Sequence, residues 1–143
     1  MKTRFSSLVT LKKSAMEKSE RSLQNANIDL QNANLALEES YNSLNDLQSP
    51  ISGNIKDYLA SKMLLSSQRN TIEHNKAWID FAKNQVNQAK GQLKLDMIEH
   101  EKFKYLELEE MKKILKKQEI QDAKDLDEVA LITHTRNNKQ EVT

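Results

Sequence analysis

Leucine and alanine alternate through residues 23–37, LQNANIDLQNANLAL, where the pentad Leu-Gln-Asn-Ala-Asn recurs after seven residues. With Leu23 at heptad position a, the a and d positions are Leu23, Ala26, Leu30, Ala33, Leu37, Ser40, Leu44 and Leu47. Steps of three and four place these side chains on one stripe of a helix. A strict seven-residue repeat makes the stripe drift, so two helices must supercoil to keep it covered. The stretch therefore predicts a coiled-coil seam in which small alanines permit close helix approach. Run backwards, the frame meets Ser19, Met16, Lys12, Val9 and Phe5, a weaker series. Ile28 and Leu35 fall at f, on the outer face.

The seam stops at Leu47, just before SPISGN at 49–54. Pro50 cannot donate to a helix and pushes Ser49 out of the α region. Gly53 and Asn54 suit positive φ or a cap. One turn joining two helices follows. The second seam reads Ile72, Asn75, Ile79, Ala82, Val86, Ala89 and Leu93. Continuing it would bury Asp96 and His100, whereas apolar residues lie at Met97, Leu108, Met111 and Leu115. The eleven-residue steps Val86–Met97–Leu108 predict a phase slip with local unwinding. Gly91 nearby weakens the helix by about 1 kcal/mol relative to Ala.

The predicted fold is all-α, an antiparallel two-helix coiled-coil hairpin with long, unequal helices. It forms one domain over 1–143: helix 1 about 4–48, a turn at 49–54, helix 2 about 55–132, and a frayed polar tail at 133–143. A tight turn brings Phe5 against residues 95–100 and leaves the rest of helix 2 without an internal partner. That remainder includes ELEEMKKILKKQ at 107–118, whose Glu-to-Lys spacings support a solvated helix. Leu108, Met111 and Leu115, with Ile114, make an apolar face on it, a candidate docking face.

Composition agrees with few turns and a thin seam: two Gly, one Pro and 5% aromatics in 143 residues. The net charge of +1 is unevenly spread. Residues 1–22 carry six Lys or Arg against two Glu, whereas 23–60 carry one Lys against five acids. A basic end suits an acidic partner surface, and a solvated helix face is the plainer reading. No Cys is present, which removes disulfides and thiolate metal sites. Lys12 and Lys13 interrupt the apolar start, which argues against a signal peptide. No apolar run has the length of a membrane span, and the expected location is cytosolic.

Catalytic chemistry finds no support. His74, His100 and His134 lie far apart, which argues against a metal site. Glu99-His100-Glu101 reads as surface charge, since adjacent helical residues face different ways. Two isolated glycines build no phosphate loop. Trp78, Ile79 and Phe81 read as a packing cluster, without the dense basic stripe of a nucleic-acid site. Neither an enzyme nor a cofactor-binding protein is expected.

Four features together resemble the FliJ family, the small coiled-coil component of the flagellar type III export apparatus, and the related virulence-secretion stalk proteins. They are the opening LVTLKKSAMEKSERSL (8–23), the single break near residue 50 followed by Gly53, the chain length, and KDLDEVALITHTR (124–136). The resemblance implies a non-enzymatic stalk, similar to that of rotary ATPases, whose terminal end enters the hexameric export ATPase and promotes its assembly and activity. By position, Lys2, Arg4, Lys12, Lys13, Lys18 and Arg21 would contact the ATPase. The opposite part would contact the cytoplasmic domain of the export-gate membrane protein through Tyr41, Leu44, Leu65, Arg69 and Ile72. Escort of export chaperones, and a peripheral position at the inner-membrane apparatus without membrane insertion, are further implications. The alternatives are a secretion chaperone using the Leu108/Met111/Leu115 face, and a spacer that dimerises through it.

Overall fold

The computed structural model describes residues 2–47 and 53–141. Two helices hold nearly all of them: α1, Ser6–Asp46, and α2, Ile55–Glu141, with no strand among the described residues. The class is all-α, as the heptads predict. Side chains fix both helix starts. At α1, the Thr3 hydroxyl accepts from the Phe5 amide (3.1 Å) and the Ser6 hydroxyl accepts from the Thr3 amide (2.8 Å). At α2, Asn54 Oδ1 accepts from the Asp57 amide (3.0 Å), so Asn54 is the cap; Gly53 does not have a positive φ. Ser49 to Ser52, the centre of the expected turn, lie outside the described residues.

Contacts divide the chain into two compact units, Lys13–Ile98 and Met1–Lys12 with Glu99–Thr143, where the sequence reading expected one body. In the unit Lys13–Ile98 the helices are antiparallel: Ser19 meets Asp96, and Ser40 meets Asn75 and Gln68. Burial follows the heptad of α1. Ser19, Ala26, Ala33 and Ser40 are all buried at intervals of seven, while Met16, Leu23, Leu30, Leu37 and Leu44 at the a positions are half-buried. Ala33, with no exposed surface, packs with Ile79 and Ala82, and Leu30 and Leu37 close over them. Small residues at the four d positions from Ser19 to Ser40 let the larger seam residues reach across. Ile72 and Val86 are buried, and Ala89 and Leu93 half-buried, as expected; Leu47 is exposed at the seam's end. Ile28 and Leu35 are exposed, as their f positions require.

The register differs from the tight-turn expectation. α1 ends at Asp46 and α2 starts at Ile55, and Ser40 already faces Asn75. About the first four turns of α2 therefore run past the end of α1. Within the other unit Arg4 meets Glu110 (3.6 Å), so Phe5 lies about ten residues farther along α2 than 95–100.

The phase slip after Leu93 does not occur. Asp96 is half-buried on the same frame, with Ser19 donating to its carboxylate and Gln92 donating to it at 3.1 Å. In the unit Met1–Lys12 with Glu99–Thr143, the frame positions His100, Phe103, Glu107, Glu110 and Ile114 are buried or half-buried. Glu110 finds a partner there, and so does Lys12 of α1. Lys12 reaches Glu99 (3.6 Å) and stacks 5.6 Å over Phe103, and Arg4 pairs with Glu110. His100 is thus a seam residue rather than surface charge. The segment 133–141, expected to fray, is helical through Glu141, and helix 2 ends nine residues beyond the expected 132. Thr133 donates to the Val129 carbonyl (2.9 Å), and Asn138 bonds His134 (3.3 Å).

Candidate functional site

The sites expected from the sequence are surfaces, so exposure decides what each residue can offer. Of the six basic residues near the start of α1, two pair across to α2, Lys12 half-buried and Arg4 at the exposed surface. Arg4 is committed to Glu110 and Lys12 to Glu99 and Phe103. Lys2, Lys13, Lys18 and Arg21 are exposed, and among the described residues they form no ion pair. Lys13, Lys18 and Arg21 lie in one unit and line three successive turns of α1. They are free to meet an acidic partner without unmaking the seam.

The second expected surface is split by burial. Tyr41 and Arg69 are exposed, Leu44 and Leu65 are half-buried, and Ile72 is buried in the pair. Ile72 is therefore a packing residue. Sequence reasoning missed Ile55, Leu59 and Met63, which follow at four-residue steps and form one stripe on the part of α2 that outruns α1. Ile55 and Met63 are 77% and 73% exposed. Their spacing was visible in the sequence, but a tight turn would have paired that segment with α1. Beside this surface, Lys76 is held above the usual lysine pKa, chiefly by the Tyr41 hydroxyl and then by Glu73.

On the third expected surface, Leu108 and Leu115 are exposed while Met111 and Ile114 are half-buried. Trp78 and Phe81 stand exposed on either side of buried Ile79, so they do not form a packed cluster. No group of three or more His, Asp or Glu among the described residues is placed to hold a metal ion. No helix among them is long and apolar enough to cross a membrane.

The family model for the flagellar FliJ protein matches residues 1–139. The chain belongs to the FliJ family. It is a component of the flagellar type III protein-export system. No curated protein and no solved structure matches the chain. Family membership extends over both helices of this FliJ-family chain, including the part of α2 beyond Ile114, where the frame turns polar at Lys117, Gln121, Lys124 and Glu128.

Proposed function

We propose that this chain is a non-catalytic stalk on the cytoplasmic side of the flagellar export apparatus, promoting assembly and activity of its hexameric ATPase. The observation that carries the reading is a tightly fitted antiparallel seam combined with uncommitted cations spread over the solvent side of α1. A seam of small residues makes a slender, stiff helix pair, suited to a central pore. Lys13, Lys18 and Arg21 supply charge that attracts an acidic lining at low salt and is screened at high salt. Lys2 extends the same chemistry, and Arg4 and Lys12 serve the helix pair first. Charge reversal at Lys13, Lys18 and Arg21 tests this: binding to the purified ATPase falls while helicity is kept. Binding that is equally tight after reversal removes these residues from the site.

Contact with the cytoplasmic domain of the export gate is assigned to the exposed start of α2. Ile55, Leu59 and Met63 supply apolar area there, Leu65 and Arg69 follow on α2, and Tyr41 and the partly covered Leu44 lie farther along on α1. Leu59→Asp with Met63→Asp is expected to weaken gate binding without changing the melting temperature, because both side chains are exposed. Gate affinity that is unchanged in this variant refutes the assignment. Escort of export chaperones is a further role for the same chain.

A further inference from the structure

α2 carries a second repeat that α1 does not use. Leu108, Met111, Leu115, Glu119, Asp122, Leu126, Val129 and Thr133 follow one another at steps of three or four. They form one stripe of the helix, about 38 Å long at 1.5 Å per residue. It lies to one side of the seam positions Glu107, Glu110 and Ile114, so it does not continue the intramolecular pairing. Four of its apolar members face solvent, Leu108 at 51%, Leu115 48%, Leu126 70% and Val129 59% exposed, while Met111 is half-buried. Thr133 spends its hydroxyl on the Val129 carbonyl. Two carboxylates interrupt the stripe at its middle. Among the described residues, neither Glu119 nor Asp122 has an ion-pair or hydrogen-bond partner.

This charge pattern selects the occupant. A second copy of the chain, paired about the middle of the stripe in either direction, would bring four carboxylates together in an apolar contact, which is strongly unfavourable. An anionic lipid surface meets the same objection. A helix with aliphatic residues towards both ends and Lys or Arg at its centre satisfies both halves of the pattern. We propose that the stripe from Leu108 to Thr133 docks such a helix from another protein, with Glu119 and Asp122 receiving its central cations.

The test uses the full chain and two labelled synthetic helical peptides with identical aliphatic positions. One carries two central Arg, the other two central Glu, and binding is read by fluorescence anisotropy. The Arg-centred peptide is expected to bind at least about tenfold more tightly. Glu119→Lys with Asp122→Lys is expected to invert that preference. Leu115→Ser with Leu126→Ser is expected to weaken the Arg-centred peptide by about tenfold or more, with helicity unchanged because both positions are exposed. Failure of both peptides to bind, equal binding of both, or an Arg preference that survives the charge reversal overturns the proposal. So does a dimer of the wild-type chain that dissociates on Leu115→Ser with Leu126→Ser, which gives the stripe to a second copy. The assay contains no ATPase, so its outcome is independent of the stalk reading.

Discussion

Asn75 donates its side-chain amide to the Ser40 hydroxyl and, at 3.2 Å, to the Ala36 carbonyl, tying α2 to one position along α1. Ser40 also donates to that carbonyl (2.8 Å), and Gln68 donates to the Ser40 carbonyl (2.9 Å). A buried polar layer of this kind specifies register at a cost in stability, because shifting the helices leaves its groups unpaired.

Asn75→Leu exchanges this layer for one more aliphatic seam residue. The melting temperature is expected to hold or rise, while sedimentation shows self-association and a loss of the unique register. A variant that sediments as the wild-type chain does, with the same Ser19–Asp96 proximity by cross-linking, would show that the layer does not set the register.

Gly91 lies within α2, and a Cβ built there meets nothing within 4 Å. Gly91→Ala is expected to stabilise the chain by about 0.5–1 kcal/mol, through helix propensity and a less flexible unfolded state. Thermal denaturation followed by circular dichroism reads this directly, and a lower melting temperature would reveal an unseen demand for glycine.

The Tyr41 hydroxyl, and then Glu73, hold the Lys76 pKa above its ordinary 10.5. A raised lysine contributes stability that is fully present below its unfolded pKa and is lost as pH rises through the folded value. The effect therefore holds at neutral pH and fades only in strong alkali. Tyr41→Phe is expected to bring the Lys76 pKa down towards its ordinary value, measured by NMR titration of the side chain. An unmoved titration would exclude Tyr41 as the chief cause.

The central seam was legible because Leu23 to Leu44 obey one period with apolar and small residues alone. Past Leu93 the period persists, but Asp96, His100, Glu107 and Glu110 outnumber Phe103 and Ile114 on it, so hydrophobicity no longer marks it. Asp96 is held by Ser19 and Gln92, and Lys12 by Glu99 and Phe103. Apart from Gln92 with Asp96, which are four residues apart, those pairings join residues distant in sequence, and no local pattern announces them. The register was hidden for a related reason: Pro50 marks where a helix breaks but not how far the connection runs back. That offset exposes Ile55, Leu59 and Met63, which sequence reasoning passed over. The basic residues of α1 were visible, but their division into engaged Arg4 and Lys12 and uncommitted Lys13, Lys18 and Arg21 depends on the same register.

The most direct test of the stalk reading is the hydrolysis rate of the cognate export ATPase, with and without this chain, at concentrations where the ATPase is largely unassembled. The account predicts that the wild-type chain stimulates hydrolysis and that Lys13→Glu with Lys18→Glu and Arg21→Glu, still fully helical, loses most of that stimulation. A folded wild-type chain that leaves the rate unchanged would contradict it.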